Sequence, residues 1–368
     1  MELKIDRAAL VRELHLVQGI VERKTTMPIL ANVLLEAKKK KLITTATDLE
    51  VGVTSSVEAD VTKEGRVTVH ARGLYDIVKE LPEETIHLTV NDKNWIHIQC
   101  GRSDFKIVGL AADEFPALPQ KGDGAAASLP ITMMLEMIEK TAFAMSNDET
   151  RYNLNGIMFE HEKGKKIRMV ATDGHRLSIA ERPCDANMNT FPASVIIPRK
   201  GVMELKRLIE GKEGSFELFV DAKHAILHQG KVTLTIRLID GQFPPYKQVI
   251  PKESRREVGV NRETIVQALR RVGAMSSERT RGVRFAFSPK NLEISSNNPD
   301  FGEAHEELSA NYRGESFAIG FNARYVLDAL SVLEDEEAKL KLGDDTAPCV
   351  VTSEFDKGFT HIIMPMRI

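Results

Sequence analysis

The tripeptide Ala46-Thr47-Asp48 recurs as Ala171-Thr172-Asp173 and, in altered form, as Ser296-Asn297-Asn298. The last residues of these tripeptides stand 125 residues apart along the chain. Each tripeptide follows one hydrophobic strand-like run and precedes another, and the same order of elements recurs around it. A repeat of this length is typical of a whole domain rather than of a solenoid turn. The pattern indicates three copies of one structural unit, called copies one, two and three below.

Each copy contains two similar halves, and each half opens on an amphipathic helical run. The apolar positions of these runs are Leu10, Leu14, Val17 and Val21; Leu74, Ile77, Val78 and Leu81; Leu135 and Ile138; Val202, Leu205 and Ile209; Ile265 and Leu269; and Val326, Leu330 and Leu333. Strand-like runs follow every helical run. The chain is therefore predicted to be α+β, with three domains that are each built from two similar halves.

Composition limits the class of protein. The length of 368 residues suits three domains of about 120 residues, and 42% hydrophobic residues support packed cores. No apolar run reaches the roughly 18 residues of a membrane span, and the first residues lack the apolar stretch of a signal peptide, so we expect a cytoplasmic protein. Cys100, Cys184 and Cys349 lack the spacing of a metal site or a disulfide framework, and we expect reduced, structural cysteines.

Charge is unevenly distributed, although the net charge is only -3. Predicted helices at 199–209 and 262–272 are basic, as are the first two helical runs. Their basic residues are Arg199, Lys200, Lys206 and Arg207; Arg262, Arg270 and Arg271; Arg7, Arg12, Arg23 and Lys24; and Arg72 and Lys79. Many charged helix faces are simply solvated. Recurrence in several copies nevertheless favours a shared basic surface.

Asp173, His175 and Arg176 resemble an active site, because they can serve as base, proton carrier and anion binder. The chain has no nucleophile elbow, phosphate loop, paired metal-ligand spacing or dinucleotide fingerprint to accompany them. Asp173 has counterparts in Asp48 and Asn298, so we interpret it as a turn residue that caps its own backbone. His175 and Arg176 have no counterparts, which leaves a binding groove or an ordinary polar turn as their role.

Seven segments occur in the order Met27-Pro28-Ile29-Leu30, Arg151-Tyr152-Asn153-Leu154-Asn155-Gly156, 171–177, Ile197-Pro198-Arg199-Lys200-Gly201, 241–246, Gly320-Phe321-Asn322 and Met364-Pro365-Met366-Arg367. Together they resemble the bacterial DNA polymerase III beta subunit family, the sliding clamps, from end to end. The resemblance implies three clamp domains, at 1–120, 128–247 and 248–368, each a duplicated β-α-β-β-β unit. It also implies a non-catalytic head-to-tail homodimer without cofactor or metal. Its helices would line the hole of a ring around duplex DNA, with the sheets outside.

The resemblance also implies site residues. Those expected to contact DNA are Lys24, Arg72, Tyr152, Arg199 and Lys200. Those expected to form a partner-peptide groove between domains 2 and 3 are Leu154, Thr172, Gly174, His175, Arg176, Leu177, Pro244, Val249, Asn322, Tyr325, Met364, Pro365, Met366 and Arg367. Short linear motifs of the replicative polymerase, the clamp loader and repair proteins would bind in this groove.

At the dimer contact, Phe105 and Ile107 of one chain are expected to meet Ala274 and Met275 of the other. Asp104 stands where the family has a basic residue, which weakens one charge pair. Arg102 opposite Glu303 or Glu306 would compensate, although exposed pairs contribute little.

Three groove positions, Asn153, Gln248 and Thr280, depart from the tyrosine, basic residue and aromatic residue of many relatives. These departures leave the preferred peptide motif open. Two other functions also stay open: a nucleic-acid-acting enzyme that uses Asp173, His175 and Arg176, and a peptide adaptor that never encircles DNA. No membrane partner is expected.

Overall fold

The computed structural model describes residues 1–21, 27–119, 126–162, 165–251, 253–277 and 280–367. Each copy runs twice through the predicted order β-α-β-β-β, and copy one adds the short strand β5. Copy one contains β1 (Glu2–Asp6), α1 (Arg7–Gln18), β2 (Asn32–Lys38), β3 (Lys41–Thr47), β4 (Val51–Glu58), β5 (Asp60–Lys63), β6 (Gly65–His70), α2 (Ala71–Glu80), β7 (Thr85–Val90), β8 (Trp95–Cys100) and β9 (Ser103–Leu110). Copy two contains β10 (Ala127–Pro130), α3 (Ile131–Glu139), β11 (Gly156–Glu162), β12 (Lys166–Thr172), β13 (Arg176–Pro183), β14 (Ser194–Pro198), α4 (Arg199–Ile209), β15 (Ser215–Val220), β16 (His224–Gln229) and β17 (Val232–Arg237). Copy three contains β18 (Arg256–Asn261), α5 (Arg262–Ala274), β19 (Gly282–Ser288), β20 (Asn291–Asn298), β21 (Gly302–Asn311), β22 (Phe317–Asn322), α6 (Ala323–Ser331), β23 (Glu337–Leu342), β24 (Cys349–Thr352) and β25 (Phe359–Ile363).

The predicted helices are confirmed, with small differences at their ends. The helix predicted at 199–209 matches α4, whereas α5 extends two residues beyond the predicted end at 272. Polar side chains set where several helices begin. Asp6, His70, Asn261 and Asn322 each stand just before a helix and accept a hydrogen bond from an N–H group of its first turn. Such caps satisfy backbone donors that have no partner within the helix.

The described strands form two antiparallel sheets, one in each of two compact units. The first unit comprises residues 1–132, 186–192 and 200–238, and the second comprises 133–185, 193–199 and 239–368. The sheet of the first unit has the order β10-β15-β16-β17-β4-β3-β2-β6-β9-β8-β7-β1-β5. The sheet of the second has the order β14-β11-β12-β13-β25-β24-β23-β18-β21-β20-β19-β22. Copy two is shared between the units, because each of its halves continues the sheet of a neighbouring copy.

The core of copy three shows how the apolar stripes of the helices pack against the sheet. Ile265 and Leu269 on α5 and Val326 and Leu330 on α6 pack into one buried cluster with the sheet residues. Phe285, Phe287 and Phe321 supply its largest side chains. Burying one such aliphatic or aromatic side chain contributes about 1.5–3 kcal/mol. The amphipathic pattern read from the sequence is therefore the pattern that holds the helices on the sheet.

The three cysteines are free and buried, as predicted. Burial raises the pKa of Cys349 to about 12, so its thiol remains protonated near neutral pH. Across the described ranges, no group of three or more His, Cys, Asp or Glu residues is placed to hold a metal ion. None of the helices found there is long and apolar enough to cross a bilayer.

Candidate functional site

The last residue of each repeated tripeptide stands at the turn between two neighbouring strands. Asp173 Oδ1 accepts hydrogen bonds from the backbone N–H groups two and three residues later, at 2.9 and 3.1 Å. Asp48 Oδ1 does the same at 2.9 and 2.6 Å, and Asn298 Oδ1 accepts one from the N–H two residues later at 3.1 Å. The residue after each aspartate has a left-handed φ, +77° at Leu49 and +90° at Gly174. The interpretation of Asp173 as a turn residue is confirmed, because copy one forms the same turn without a histidine or arginine.

Arg176 is a buried cation whose guanidinium is bound within the second unit. It is 7% exposed and donates hydrogen bonds to Asp173 Oδ2 at 3.1 Å and Asp328 Oδ2 at 2.6 Å. It also donates to the backbone carbonyl of Phe143, and its guanidinium carbon lies 4.4 Å from the centre of the Tyr325 ring. Two carboxylates therefore balance its charge, and it holds β13 to α6.

The tail after β25 is held by two backbone hydrogen bonds. The Met364 N–H donates to the His175 carbonyl at 2.9 Å, and the Met366 N–H donates to the Gly320 carbonyl at 2.8 Å. The His175 ring stacks on the Tyr325 ring, with centres 6.5 Å apart and planes 18° apart. The structure thus places the turn of copy two that carries His175, α6 and the methionine-rich tail side by side.

Strands that lead to the turn of copy two and to the tail carry an apolar cluster of the second unit. Its buried members are Met158, Val170, Leu177, Ile179, Tyr246, Val350 and Ile362, with Phe243 and Ile250 packed against them. Pro244 and Val249 belong to the segment 243–250, which joins the cluster at three positions.

Leu154 and Leu177 are buried, whereas Val249 is 44% exposed. Along the tail, Pro365 and Met366 are half-buried, and Met364 and Arg367 are exposed. Exposed apolar side chains around a buried floor can accept apolar side chains of a peptide.

Asn322 has a structural role at this site. Its Oδ1 accepts hydrogen bonds from the N–H groups of Arg324 at 2.9 Å and Tyr325 at 3.4 Å, which caps α6. Its Nδ2 donates to the Thr280 carbonyl at 3.1 Å. Asn322 therefore positions the Tyr325 ring against the turn of copy two.

Of the three positions that depart from the family pattern, Gln248 and Thr280 are exposed and Asn153 is half-buried. Asn153 donates from Nδ2 to the Gln242 carbonyl at 3.0 Å, so the amide ties the two segments together. The edge of the region therefore carries uncharged polar side chains where many relatives have aromatic or basic ones.

A partly buried polar network anchors Tyr246, and it was not predicted from the sequence. The Tyr246 hydroxyl donates to Glu160 Oε1 at 2.8 Å and accepts from Arg168 Nη1 at 3.2 Å. Arg168 also pairs with Glu160 and Glu181. Burial and the bond to Glu160 raise the pKa of Tyr246 to about 12. The sequence signal for this network is an arginine on one strand with a glutamate on the strand at either side. Arg168 on β12 lies directly opposite Glu160 on β11 and Glu181 on β13.

Lys140 is a second buried cation that sequence analysis did not single out. Its Nζ lies 2.9 Å from Glu136 and 2.5 Å from Asp356, and Arg182 pairs with the same two carboxylates. Burial acts to lower the pKa of Lys140, but the hydrogen bonds to Asp356 and Glu136 outweigh it and raise the pKa. The amine is therefore a protonated structural group and not a nucleophile.

Two of the predicted DNA-contact residues have exposed side chains. Tyr152 is 58% exposed. Arg72 lines a cleft of about 510 Å³ beside α1 and α2. The cleft is also lined by His15, His70, Tyr75 and Lys79, and by Asp76, whose carboxylate lies 3.7 Å from Arg72 and 3.3 Å from Lys79. Guanidinium, ammonium and aromatic groups on exposed helices can meet phosphates without reading bases.

The other three residues predicted to contact DNA are Arg199, Lys200 and Lys24. Arg199 is partly buried and donates to the carbonyls of residues 145 and 146 at 2.8 and 3.1 Å, and burial lowers its pKa. Lys200 forms an ion pair with Asp48. Lys24 lies outside the described residues. A phosphate contact by Arg199 or Lys200 would compete with these internal partners.

Two inner strands of the described sheets, β9 and β21, leave most of one edge open, in addition to the terminal strands β5, β10, β14 and β22. β9 pairs with β8 over residues 103–108, and only residues 109 and 110 pair with β6. β21 pairs with β20 over residues 302–309, and only residues 310 and 311 pair with β18. Open edges present unpaired backbone groups to another chain.

The residues predicted for the dimer contact lie close to these edges in sequence. Phe105 and Ile107 are on β9, and Phe105 is 39% exposed. Ala274 ends α5 and Met275 follows it. The Met275 side chain approaches the start of β21, since a Cβ on Gly302 would lie 3.8 Å from its terminal carbon.

The two acidic residues predicted to pair with Arg102 have different surroundings. Glu306 accepts two hydrogen bonds from Arg271, at 2.6 and 2.7 Å. Glu303 is exposed at the start of β21. Any pair between Glu306 and Arg102 must therefore be shared with Arg271.

Family models of the DNA polymerase III beta subunit match almost the whole chain. The N-terminal domain matches residues 1–119, the central domain residues 128–245 and the C-terminal domain residues 247–367.

Individual relatives match along their full length. The beta sliding clamp of Caulobacter vibrioides is 37% identical over 373 residues, and that of Escherichia coli strain K12 is 35% identical over 369 residues. Both comparisons cover 100% of this chain and 100% of the relative. The crystal structure of the C. crescentus beta sliding clamp matches with a TM-score of 0.95 at 36% identity, covering 100% of this chain and 99% of that chain. Sequence and fold therefore agree over the entire length.

Proposed function

Because this chain belongs to the DNA polymerase III beta subunit family and is a DNA polymerase sliding clamp, we propose that two chains join head to tail into a ring around duplex DNA. Each chain contributes three domains, at 1–120, 128–247 and 248–368. A head-to-tail contact continues from subunit to subunit and closes when the accumulated rotation completes a turn. The observation that carries this proposal is the pair of open edges on β9 and β21, which satisfy each other across two subunit boundaries.

Apolar side chains support the same contact. Phe105 and Ile107 of one subunit pack against Ala274 and Met275 of the next subunit. Phe105 is 39% exposed in the single chain, which is unusual for a side chain of its size. Because a standard interface buries a continuous apolar core, these residues and the paired edges belong to one contact surface.

The ring binds DNA through its helices and without sequence preference. Tyr152 and Arg72 contact phosphates from exposed positions, and Lys24, Arg199 and Lys200 complete the proposed contact set. Phosphate contacts carry no sequence information, so the ring can slide while encirclement keeps it on the duplex. The weak net charge of -3 fits this mode of retention, since topology replaces strong attraction.

The tail and the turn of copy two form the groove that docks partner proteins. Peptide motifs of the replicative polymerase, the clamp loader and repair proteins insert apolar side chains near Met364, Val249 and Leu177. Each subunit has one groove, so a ring offers two. A short motif buries little surface, which gives modest affinity and allows partners to exchange.

The clamp is a non-catalytic processivity factor that works in the cytoplasm. The alternative enzyme would use Asp173, His175 and Arg176 as its site. Asp173 caps the turn and Arg176 is bound to two carboxylates, so neither group is presented to a substrate. The adaptor alternative explains the groove but gives no role to the open strand edges.

Retention on DNA of different topology tests the proposal. Purified protein is loaded by a clamp loader onto nicked circular DNA, and bound protein is measured by gel filtration before and after the circle is linearised. We expect stable retention on the circle and rapid loss from linear DNA, because a ring slides off free ends. Equal retention on both forms would show binding by affinity and would overturn encirclement.

A further inference from the structure

The turn between β2 and β3 carries four consecutive exposed lysines at 38–41, called the lysine turn below. Lys38 ends β2 and lies directly opposite Lys41, which begins β3. Between them, Lys39 and Lys40 have φ values of +48° and +62°. A two-residue turn with two positive φ values favours Asn-Gly, because other side chains strain the backbone in this conformation. Neither backbone geometry nor charge repulsion therefore accounts for four lysines at this place.

Copy three builds the same turn with one lysine. Its residues Ser288-Pro289-Lys290-Asn291 stand 250 positions after the lysine turn. Lys290 has a φ of +66°, close to that of Lys40. The Lys290 carbonyl accepts a hydrogen bond from the Ala310 N–H at 3.0 Å, as the Lys40 carbonyl does from the Ala59 N–H at 3.1 Å. The fold therefore forms this turn without a run of lysines.

Copy two has lysines at 163, 165 and 166 in the corresponding segment. Residues 163 and 164 lie outside the described residues. Lys166 lies 3.3 Å from Glu162 and 3.1 Å from Glu181, so its charge is balanced within its own copy.

A cleft of about 760 Å³ lies beside the lysine turn, between β1 and the residues that join β4 to β5. Its basic lining residues are Lys4, Lys39, Lys40 and Lys41. None of these four ammonium groups has an ion pair within the part of the chain that the structure describes, whereas Lys38 lies 3.8 Å from Glu36. The cleft therefore brings together cations that the fold leaves unpaired.

Three acidic residues also line the cleft, and two of them have other partners. Asp6 Oδ1 accepts a hydrogen bond from the backbone N–H of residue 9 at 2.8 Å, which caps α1. Glu58 lies 3.7 Å from Lys231. Asp60 lies opposite Lys4 on the neighbouring strand. Ammonium groups thus outnumber the remaining carboxylate, and the lining attracts anions.

The uncharged part of the lining favours a phosphate over a protein partner. It consists of Ile5, Ala59 and Thr85, so the described lining contains no aromatic and no arginine side chain. Cores of protein–protein interfaces are enriched in aromatic residues and arginine and depleted in lysine. Lysine binds a phosphate as a flexible point charge, without reading sequence. The cleft therefore matches the backbone of a nucleic acid better than an acidic peptide.

We propose that the lysine turn and Lys4 form a second phosphate-binding surface, which holds duplex DNA without enclosing it. The inference rests on the proposed function, because that function makes duplex DNA the ligand, but it does not depend on ring closure. The surface is separate from the cleft of Arg72. Lys4 precedes α1, whereas His15 and Gln18 in the last part of α1 line the Arg72 cleft. Contacts of this kind bring the clamp to DNA before the ring encloses it, since phosphate attraction steers association.

Binding to DNA without free ends tests this surface apart from the ring. A short duplex is closed by a loop at each end, so a closed ring cannot thread onto it without a loader. Fluorescence anisotropy measures its affinity for the full chain at several salt concentrations. K39N/K40G should weaken binding about tenfold at about 50 mM salt and should reduce the slope of log K against log salt by about 2, because each neutralised phosphate contributes about 0.9. Unchanged affinity and slope would overturn the proposal.

The matched control removes two charges at the corresponding turn of copy three. Lys290 and Arg313 are exposed, and the Lys290 N–H donates to the carbonyl of the residue before Arg313 at 2.9 Å. K290N/R313S should leave affinity and slope unchanged. An equal loss in this control would reflect net charge alone and would reject the lysine turn as the site.

Urea unfolding separates a binding role of the lysines from a structural one. Asn-Gly fits the two positive φ values, so K39N/K40G should unfold at a higher urea concentration than the wild type while it binds DNA less tightly. A variant that loses stability together with binding would show that the lysines serve the fold, which contradicts the proposal.

Two further measurements separate the ligand and the ring. Tighter binding of an oligoglutamate peptide than of the looped duplex would make an acidic protein the partner and would overturn DNA as the ligand. Retention on nicked circular DNA is measured in parallel. Loss of this retention in the wild type, with binding to the looped duplex intact, would overturn the proposed ring and support the lysine surface.

Discussion

The guanidinium of Arg176 lies 2.6 Å from the carboxylate of Asp328, and this contact joins β13 of copy two to α6 of copy three. The side chain of Arg176 is 7% exposed and that of Asp328 is 28% exposed. Solvent therefore screens the pair only in part. The residue that looked most like a substrate-binding cation in the sequence is a structural link beneath the proposed peptide groove.

Loss of this link should be costly. We expect R176A to lower the free energy of unfolding by about 3 kcal/mol, because it leaves partly buried carboxylates without their partner. Arg324 offers a matched control, since it lies 3.9 Å from the same Asp328 carboxylate but is 60% exposed. R324A should cost less than about 1 kcal/mol. Urea unfolding of both variants measures the difference, and equal losses would contradict the structural role of Arg176.

Acid should destabilise the fold through His361. This residue is fully buried, and neither ring nitrogen has a hydrogen-bond partner among the described residues. Burial, together with the charge of Arg176, lowers its pKa from 6.5 to about 3. The unfolded chain takes up a proton below pH 6.5 while the folded chain does not. The free energy of unfolding therefore falls by about 1.4 kcal/mol per pH unit between pH 6.5 and 3, and this contribution is fully present only above pH 6.5.

The variant H361F should make unfolding less sensitive to acid. Urea unfolding at several values between pH 7 and pH 4 measures the slope. H175F serves as the control, because His175 is exposed and its replacement should leave the slope unchanged. Parallel curves for H361F and the wild type would show that other groups cause the acid loss.

The elements that sequence predicted well depend on local interactions. The apolar stripe and basic face of α4 follow from helical periodicity, and the turn at Asp173 follows from the reach of an aspartate side chain to its own backbone. Both are set within a few residues. The equivalence of Asp48 and Asp173 could therefore be read without any knowledge of the fold.

The features that sequence missed depend on which strands become neighbours. The network of Arg168, Glu181 and Tyr246 needs the registers of three strands and the return of a distant segment. Arg199 was read as a surface cation, but its hydrogen bonds to two backbone carbonyls depend on how a remote loop packs. The sharing of copy two between two sheets has the same cause, because strand order is not encoded in periodicity.

The first turn of α2 depends on an unusual cap. His70 Nδ1 accepts a hydrogen bond from the Gly73 N–H at 3.1 Å. H70A should therefore lower the free energy of unfolding by about 1 kcal/mol, whereas H70N should retain most of it, because asparagine is a good cap. Thermal or urea unfolding measures both variants. Equal losses would show that the ring packing of His70 matters more than its cap.

The tail should control peptide binding without controlling assembly. Deleting residues 364–368 removes the exposed Met364 and the backbone bonds to His175 and Gly320. We expect binding of a fluorescent motif peptide to be abolished while the sedimentation coefficient stays that of the dimer. M203A is the control, since Met203 is 48% exposed on α4, away from the tail in sequence, and should not affect the peptide. Retained affinity in the deletion would reject the groove assignment.

A charge at the end of α5 should separate the subunits. Met275 lies beside Gly302 at the open edge of β21, so M275D places a carboxylate in the proposed apolar contact with Phe105 and Ile107. Burying an unpaired charge costs several kcal/mol, and the carboxylate also faces the acidic start of β21. We expect monomers in analytical ultracentrifugation, with circular dichroism unchanged, whereas M203D should remain dimeric. A dimeric M275D would place the subunit boundary elsewhere on the chain.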